Sequence, residues 1–151
     1  MAAALAAAFL LAPFTSLILP SRLRDHTYQQ IMLHIIAVRE TAAAKSPVDS
    51  AKALFFYTAH NALINPGDLK PYKAKALGFL IDGRVYCDYA SEILANLCAG
   101  AGIHARYCML KDAFGVSPHT VTEVLLGGKW RVFDPTEFCY YVAASGKLAT
   151  L

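Results

Sequence analysis

Charge is scarce in this chain. Asp, Glu, Lys and Arg make up 17% of its 151 residues, against 56% apolar residues, which excludes intrinsic disorder as the state of the whole chain. No run of Lys and Arg occurs, and the net charge of +3 is scattered. That excludes a basic nucleic-acid arm, and no nucleic-acid partner is expected. The four cysteines, at 87, 98, 108 and 139, include no C-x-x-C pair, so zinc and thioredoxin-type readings lose their usual support. No spaced acidic set of the kind calcium loops use is present. Neither a metal nor a cofactor is expected. Tryptophan occurs once, at Trp130, and no internal repeat or linker is visible. What remains is a chain of single-domain length, large enough for a core without disulfide staples. Cys98, Cys108 and Cys139 read as small buried hydrophobes, with a Cys98–Cys108 bridge left open for an oxidising compartment.

The apolar excess is concentrated at the start. Residues 1–19 are interrupted only by Pro13, Thr15 and Ser16, and are followed by Pro20, Arg22 and Arg24. The run is close to the ~20 residues that span a bilayer. It lacks a basic n-region and a clean small-x-small cleavage site. Residues 1–20 therefore read as an export signal or uncleaved anchor, and residues 21–151 as the domain. A membrane-anchored or exported protein, associating with the membrane through residues 1–20, is expected over a cytoplasmic one. The competing reading of the run is a buried helix.

Residues 23–39 carry Tyr28, Ile31, Met32, Ile35 and Ile36 at helical spacing, predicting an amphipathic helix. A second helix starts where Ser46 is a good N-cap, Pro47 suits the first helical position and Asp49 reaches back from the third. Its apolar face runs from Ala51 through Leu54, Phe55, Thr58 and Ala59 to Leu63, and Asn65-Pro66-Gly67 stops it. Residues 66–84 hold three glycines and two prolines and read mainly as loop. A third helix spans about Cys87 to Ala101, with Gly102 just past its end. Ile103–Leu110 reads as a strand. His119–Leu126 and Lys129–Phe133 read as two more around the turn Gly127-Gly128. Helices first and strands after predict an α+β fold.

Three segments supply a thiol, an imidazole and a carboxylate in order: Val85-Tyr86-Cys87-Asp88-Tyr89-Ala90, Ser117-Pro118-His119-Thr120, and Trp130-Arg131-Val132-Phe133-Asp134-Pro135-Thr136. Cys87 opens a helix, where unpaired N–H groups and the dipole favour an anion such as a thiolate. With Gly127-Gly128 as a two-residue loop, Leu126 pairs with Lys129, Leu125 with Trp130 and, further on, Val121 with Asp134. His119 shares the face of Val121. His119 and Asp134 are then diagonal neighbours, ~7–8 Å apart at the backbone; a slip of one residue would separate them onto opposite faces. Cys87 is thus the candidate nucleophile, His119 its general base and acid, and Asp134 the residue that orients the imidazole. Glu123 shares the face of His119, and a half-buried carboxylate there needs a partner. Arg106 in the preceding strand is the candidate.

These segments resemble the core of the transglutaminase-like superfamily. The likeness runs from about Gly83 to Thr136. It includes Cys87-Asp88-Tyr89-Ala90 opening a helix, Gly102-Ile103-His104-Ala105-Arg106 entering a strand, His119 with Glu123-Val124, and Trp130 through Asp134-Pro135-Thr136. The resemblance implies a papain-like α+β core, with N-terminal helices and a nucleophile helix packed on a small antiparallel sheet. It also implies a triad at Cys87, His119 and Asp134, with Tyr89, Arg106, Glu123 and Trp130 in support. Transglutaminases place a tryptophan upstream of the nucleophile to stabilise the oxyanion, and here Trp130 lies on the hairpin instead. The Cys87 N–H is one oxyanion donor; Asn61, Asn65 and Tyr72 are weak candidates for the second.

The expected function is that of a thiol-dependent amide hydrolase or acyltransferase working through an acyl-enzyme on Cys87, with hydrolysis favoured over cross-linking. Its partner would be a peptide or protein substrate bearing an amide. The competing expectation is a catalytically idle domain that binds a peptide or partner.

Overall fold

In the computed structural model of the chain, residues 20–64 and 76–150 are described. The predicted signal or anchor at 1–20 lies outside these residues except for Pro20, as do Asn65-Pro66-Gly67 and Tyr72. Among the described residues no helix is long and apolar enough to cross a membrane. The elements in order are α1 (Ser21–Thr41), α2 (Pro47–Asn61), β1 (Leu63–Ile64), α3 (Ala76–Asp82), β2 (Arg84–Val85), α4 (Cys87–Gly100), β3 (Ala105–Leu110), β4 (His119–Leu126), β5 (Lys129–Asp134) and β6 (Cys139–Tyr140). The chain divides between Ile31 and Met32, within α1, and Met32–Leu151 forms one compact unit.

Helix α4 is the centre of the fold and touches α2, α3, β2, β3 and β4. Its buried residues, Ala90, Ser91, Ile93, Leu94, Ala95, Leu97 and Cys98, cover more than one stripe, as a helix contacted from several sides requires. Each large aliphatic side chain so buried contributes about 1.5–3 kcal/mol. The helix ends as its glycine predicts. Gly102 has φ +73°. The N–H of Gly102 donates to the Ala99 carbonyl and that of Ile103 to the Cys98 carbonyl, the paired bonds of a Schellman motif. Because Ile103 is used in this cap, β3 begins at Ala105 rather than at Ile103.

The start of α2 also follows its sequence. Ser46 is extended, its hydroxyl accepts from the Asp49 N–H at 3.1 Å and donates to the Asp49 carboxylate at 2.8 Å, and Pro47 occupies the first turn. Phe55 of α2 lies 5.7 Å, centroid to centroid, from both Phe133 and Tyr140, so this helix packs on β5 and β6.

The larger sheet is antiparallel in the order β3-β4-β5-β6. Leu126 pairs with Lys129 and Leu125 with Trp130, continuing to Thr122 with Phe133. Gly127 and Gly128 both have positive φ, 58° and 73°, the geometry a two-residue hairpin turn demands. Side chains alternate between two faces. Thr120, Thr122, Val124 and Leu126 lie on one. The other carries His119, Val121, Glu123 and Leu125, with their neighbours Arg106, Cys108 and Leu110 on β3 and Trp130, Val132 and Asp134 on β5.

Three expectations are corrected. Residues 76–82 form α3, with Ala76, Leu77, Phe79 and Leu80 buried; apolar packing outweighs the glycine at 78. The short strands β1 and β2 pair in parallel: β1 replaces the expected end of the second helix at Leu63, and β2 begins at Arg84, where the expected loop ends. In α1 the buried residues are Leu33 and Ala37, with Met32 and Ile36 beside them, whereas Ile35 is half exposed. Its stripe is rotated because α1 approaches α4 at Gly100. A Cβ there would stand 3.3 Å from Ala37 Cβ, His34 Cα and the Leu33 carbonyl, and His34 Nδ1–H donates to the Gly100 carbonyl at 2.6 Å. All four cysteines are free.

Gly100→Val should therefore destabilise the protein by about 1–3 kcal/mol through overpacking against α1, read by urea unfolding. Burial pushes the Cys98 thiol up to about 12 from an ordinary 9.0. Its folded-state value is raised, so the stability it contributes is fully present below pH 9 and lost as pH rises toward 12. The difference in unfolding free energy between wild type and Cys98→Ala should shrink by up to ~1.4 kcal/mol per pH unit above pH 9. A constant difference would show that the thiol is not responsible.

Candidate active site

Cys87 is the first residue of α4, and its N–H is among those that a helix start leaves without an intrahelical acceptor. Tyr86, in the N-cap position, is extended and its side chain makes no capping bond. The Asp88 carboxylate accepts the Tyr89 N–H at 2.9 Å. Burial first, and then neighbouring Asp88, pushes the Glu92 carboxyl above its ordinary range. The Tyr89 ring stacks on Phe79 of α3, with centroids 3.9 Å apart. Tyr89 is thus a packing residue that fixes the first turn of α4, and its signal in sequence is only that of an apolar stripe.

Two hydrogen bonds lock this helix to β4. Ser91 Oγ donates to the Thr120 carbonyl at 3.0 Å, and Thr122 Oγ1 donates to the Ser91 carbonyl at 3.1 Å. Further along α4, Ala95, Asn96 and Ala99 share a shallow groove with Ala105, Arg106 and Tyr107, the β3 partners of Val124, Glu123 and Thr122. Helix and strand therefore run in the same direction. Cys87 stands one turn before Ser91, ~6 Å back along the helix axis. The Cys87 sulfur makes no hydrogen bond with a described residue. Ser91, Thr120 and Thr122 were not singled out from sequence. Small hydroxyl residues within apolar runs, one of them a helical turn after the cysteine, were the available signal.

His119 and Asp134 meet. The imidazole Nε2–H donates to Asp134 Oδ2 at 2.5 Å; the imidazole is a quarter exposed and the carboxylate wholly buried. The other carboxylate oxygen accepts the N–H groups of Thr136 and Glu137, both at 3.1 Å. Asp134 thereby organises the turn that joins β5 to β6. That turn closes at Phe138, which adopts φ +53°, a conformation costly for a bulky side chain. Rings on α2 surround it: Phe55 and Phe56 at about 6 Å and His60 at 4.8 Å.

The expected Arg106–Glu123 pair is present. The two residues are direct cross-strand partners, and Arg106 Nε and Nη2 both donate to Glu123 Oε2 at 2.8 Å. Cys108 Sγ donates to the same oxygen at 3.0 Å. Burial, then Glu123, pushes the Cys108 thiol up, which keeps it protonated and able to donate. The Arg106 guanidinium lies 4.2 Å from the centroid of the Trp130 ring. Trp130 thus belongs to this cluster. Asn61 donates its amide to the Tyr57 carbonyl at 2.7 Å, which is helix-end chemistry; Asn65 and Tyr72 lie outside the described residues. No cluster of three metal-ligating side chains occurs among the described residues.

A profile of the Transglutaminase-like superfamily matches residues 36–135, about two thirds of the chain. No curated protein matches. Among solved structures, a candidate cysteine protease from Cytophaga hutchinsonii is 22% identical, with a TM-score of 0.62, over 80% of this chain and 41% of that one. The periplasmic domain of TgpA from Pseudomonas aeruginosa is 21% identical, with a TM-score of 0.55, over 71% and 42%. A structure described as a TGase is 20% identical, with a TM-score of 0.62, over 83% and 36%. At these identities the likeness is one of fold, and the chain spans about two fifths of those structures' lengths.

Arg106→Met should lower the melting temperature by stranding the buried Glu123 carboxylate. Glu123→Gln in the same background should restore part of the loss, a non-additivity that two independent surface charges would not give in thermal unfolding.

Proposed function

The chain belongs to the transglutaminase-like superfamily, and from that premise we propose that it is a thiol-dependent amide hydrolase or acyltransferase, with Cys87, His119 and Asp134 as its triad. The His119–Asp134 hydrogen bond, with its carboxylate wholly buried, is the observation that carries this reading. Because Nε2 is held by Asp134, Nδ1 is the ring nitrogen left for the thiol.

In this reading Nδ1 takes the Cys87 proton and the thiolate attacks the amide carbonyl. The developing oxyanion faces the Cys87 N–H at the helix start. The imidazolium, stabilised by Asp134, returns its proton to the leaving amine as the C–N bond breaks, and a thioester remains on Cys87. Water, deprotonated by His119, then attacks the thioester; the acid departs and the thiol regains its proton. An amine in place of water would give transfer. Hydrolysis is the favoured course, because two of the similar structures, from Cytophaga hutchinsonii and Parabacteroides distasonis, are described as candidate proteases.

By alternation His119 sits on the face opposite Thr120 and Thr122, which meet α4. The thiol would therefore reach the imidazole around the open start of β4 rather than through the sheet. The substrate would be a peptide or protein amide approaching that end, and residues 1–20 would hold the protein at a membrane. The competing reading, an idle partner-binding domain, draws on Trp130, which stacks on Arg106 and leaves Cys87 without the family's upstream tryptophan.

The deciding measurement is the pH dependence of Cys87 alkylation by iodoacetamide. Wild type should react at pH 6.5 at least about 10-fold faster than His119→Ala. Superimposable profiles for the two proteins would sink the catalytic reading in favour of the binding domain.

A further inference from the structure

The sheet face that carries His119 and Asp134 also bounds a cavity of about 280 Å3, lined by Leu110, Val121, Val132, Tyr141, Ala149 and Thr150. Strand register ties its walls to the pair. Leu110 is the direct cross-strand partner of His119, a separation of ~5 Å between Cβ atoms. Val121 lies two residues beyond His119 and Val132 two before Asp134, each ~7 Å along its strand. The outer wall is the C-terminal segment folded back on β5. The Ala149 N–H donates to the Tyr141 carbonyl at 2.7 Å, the Val132 N–H to the Ala149 carbonyl at 3.3 Å, and Val142 bridges Leu148.

The chemistry of this cavity is narrow. Four walls are aliphatic, one is an aromatic ring, and the polar groups are two hydroxyls. No charged or amide side chain lines it, so a charged group entering would lose its hydration without gaining a partner. Its volume is below the ~300–1,000 Å3 of sites that enclose a whole small molecule. It suits one side chain of a longer ligand.

We propose that this cavity is a specificity pocket that receives one branched or aromatic apolar side chain, carried by the substrate within two residues of the carbonyl that Cys87 attacks. The inference rests on the catalytic reading above and adds to it a substrate class: an apolar, not an acidic or basic, acyl segment. Leu110, Val121 and Val132 are its floor, and Tyr141, Ala149 and Thr150 its adjustable rim.

The test uses the full chain and dipeptidyl chloromethyl ketones with the sequences Gly-Gly, Leu-Gly, Gly-Leu and Gly-Asp, following Cys87 alkylation by mass spectrometry, with iodoacetamide as a control that needs no pocket. One of the two leucine reagents should react at least about 10-fold faster than Gly-Gly and Gly-Asp, the discrimination a buried aliphatic group can supply. Ala149→Leu, which fills the cavity, should erase that preference and leave the iodoacetamide rate unchanged. Thr150→Phe, at an exposed rim position, should do the same and serves if Ala149→Leu fails to fold. Equal rates for all four reagents, with iodoacetamide reactivity still dependent on His119, would overturn the pocket and leave the triad standing. So would a leucine preference that survives a folded filling variant. Loss of the His119 dependence itself would overturn both.

Discussion

A carboxylate with no exposure is tolerated only when both of its oxygens have donors, because removing it from water costs several kcal/mol even after the protein relaxes. Asp134 meets that requirement with three: the His119 imidazole on one oxygen, and the Thr136 and Glu137 N–H groups on the other. Much of the strand half of the molecule follows from satisfying this one group. The hairpin register must bring His119 diagonally opposite. The chain must turn at once after β5 so that its N–H groups point back. The turn in turn needs α2, whose aromatic rings close over it.

Helix α4 contributes the other half, and near its start polar bonds to the sheet add to its apolar packing. Ser91 exchanges hydrogen bonds with Thr120 and Thr122, and these bonds are directional where packing alone is not. They set the axial position of Cys87 against His119. At the other end Gly100 lets α1 approach closely and lock the helix from behind. Cys87 and His119 are thus carried by elements that meet through a small number of defined contacts, while the Arg106–Glu123–Trp130 cluster holds β3, β4 and β5 together further along the same face as His119.

Features encoded by adjacent residues were the legible ones. The Ser46–Asp49 cap, the Gly102 helix end and the Gly127-Gly128 turn each depend on backbone conformations that few residue types favour, and each is where its residues place it. From the turn, the pairing of His119 with Asp134 followed by counting in twos, and that of Arg106 with Glu123 from their parity on adjacent strands. What escaped was whatever depends on a distant partner. The helix at 76–82 is stabilised by burial of Phe79 and Leu80 against the rest of the core, which no local pattern announces amid glycines and prolines. The stripe of α1 is set by where Gly100 lies, 66 residues beyond His34. The C-terminal segment lacks a hydrophobic period, since β6 is two residues long and the remainder is held by isolated backbone bonds to Val132 and Tyr141.

Phe138 carries a further consequence. Its left-handed backbone is disfavoured for an aromatic residue, and beyond the two N–H bonds to Asp134 its support comes from Phe55, Phe56 and His60 on α2, more than seventy residues earlier in the chain. The loop that orients the carboxylate is therefore held partly by a helix from the other half of the chain. Assembly of the His119–Asp134 pair thus draws on both halves of the chain. A partly folded chain, with the strands formed but α2 not yet docked, would carry both residues yet lack part of the support of the turn that orients them.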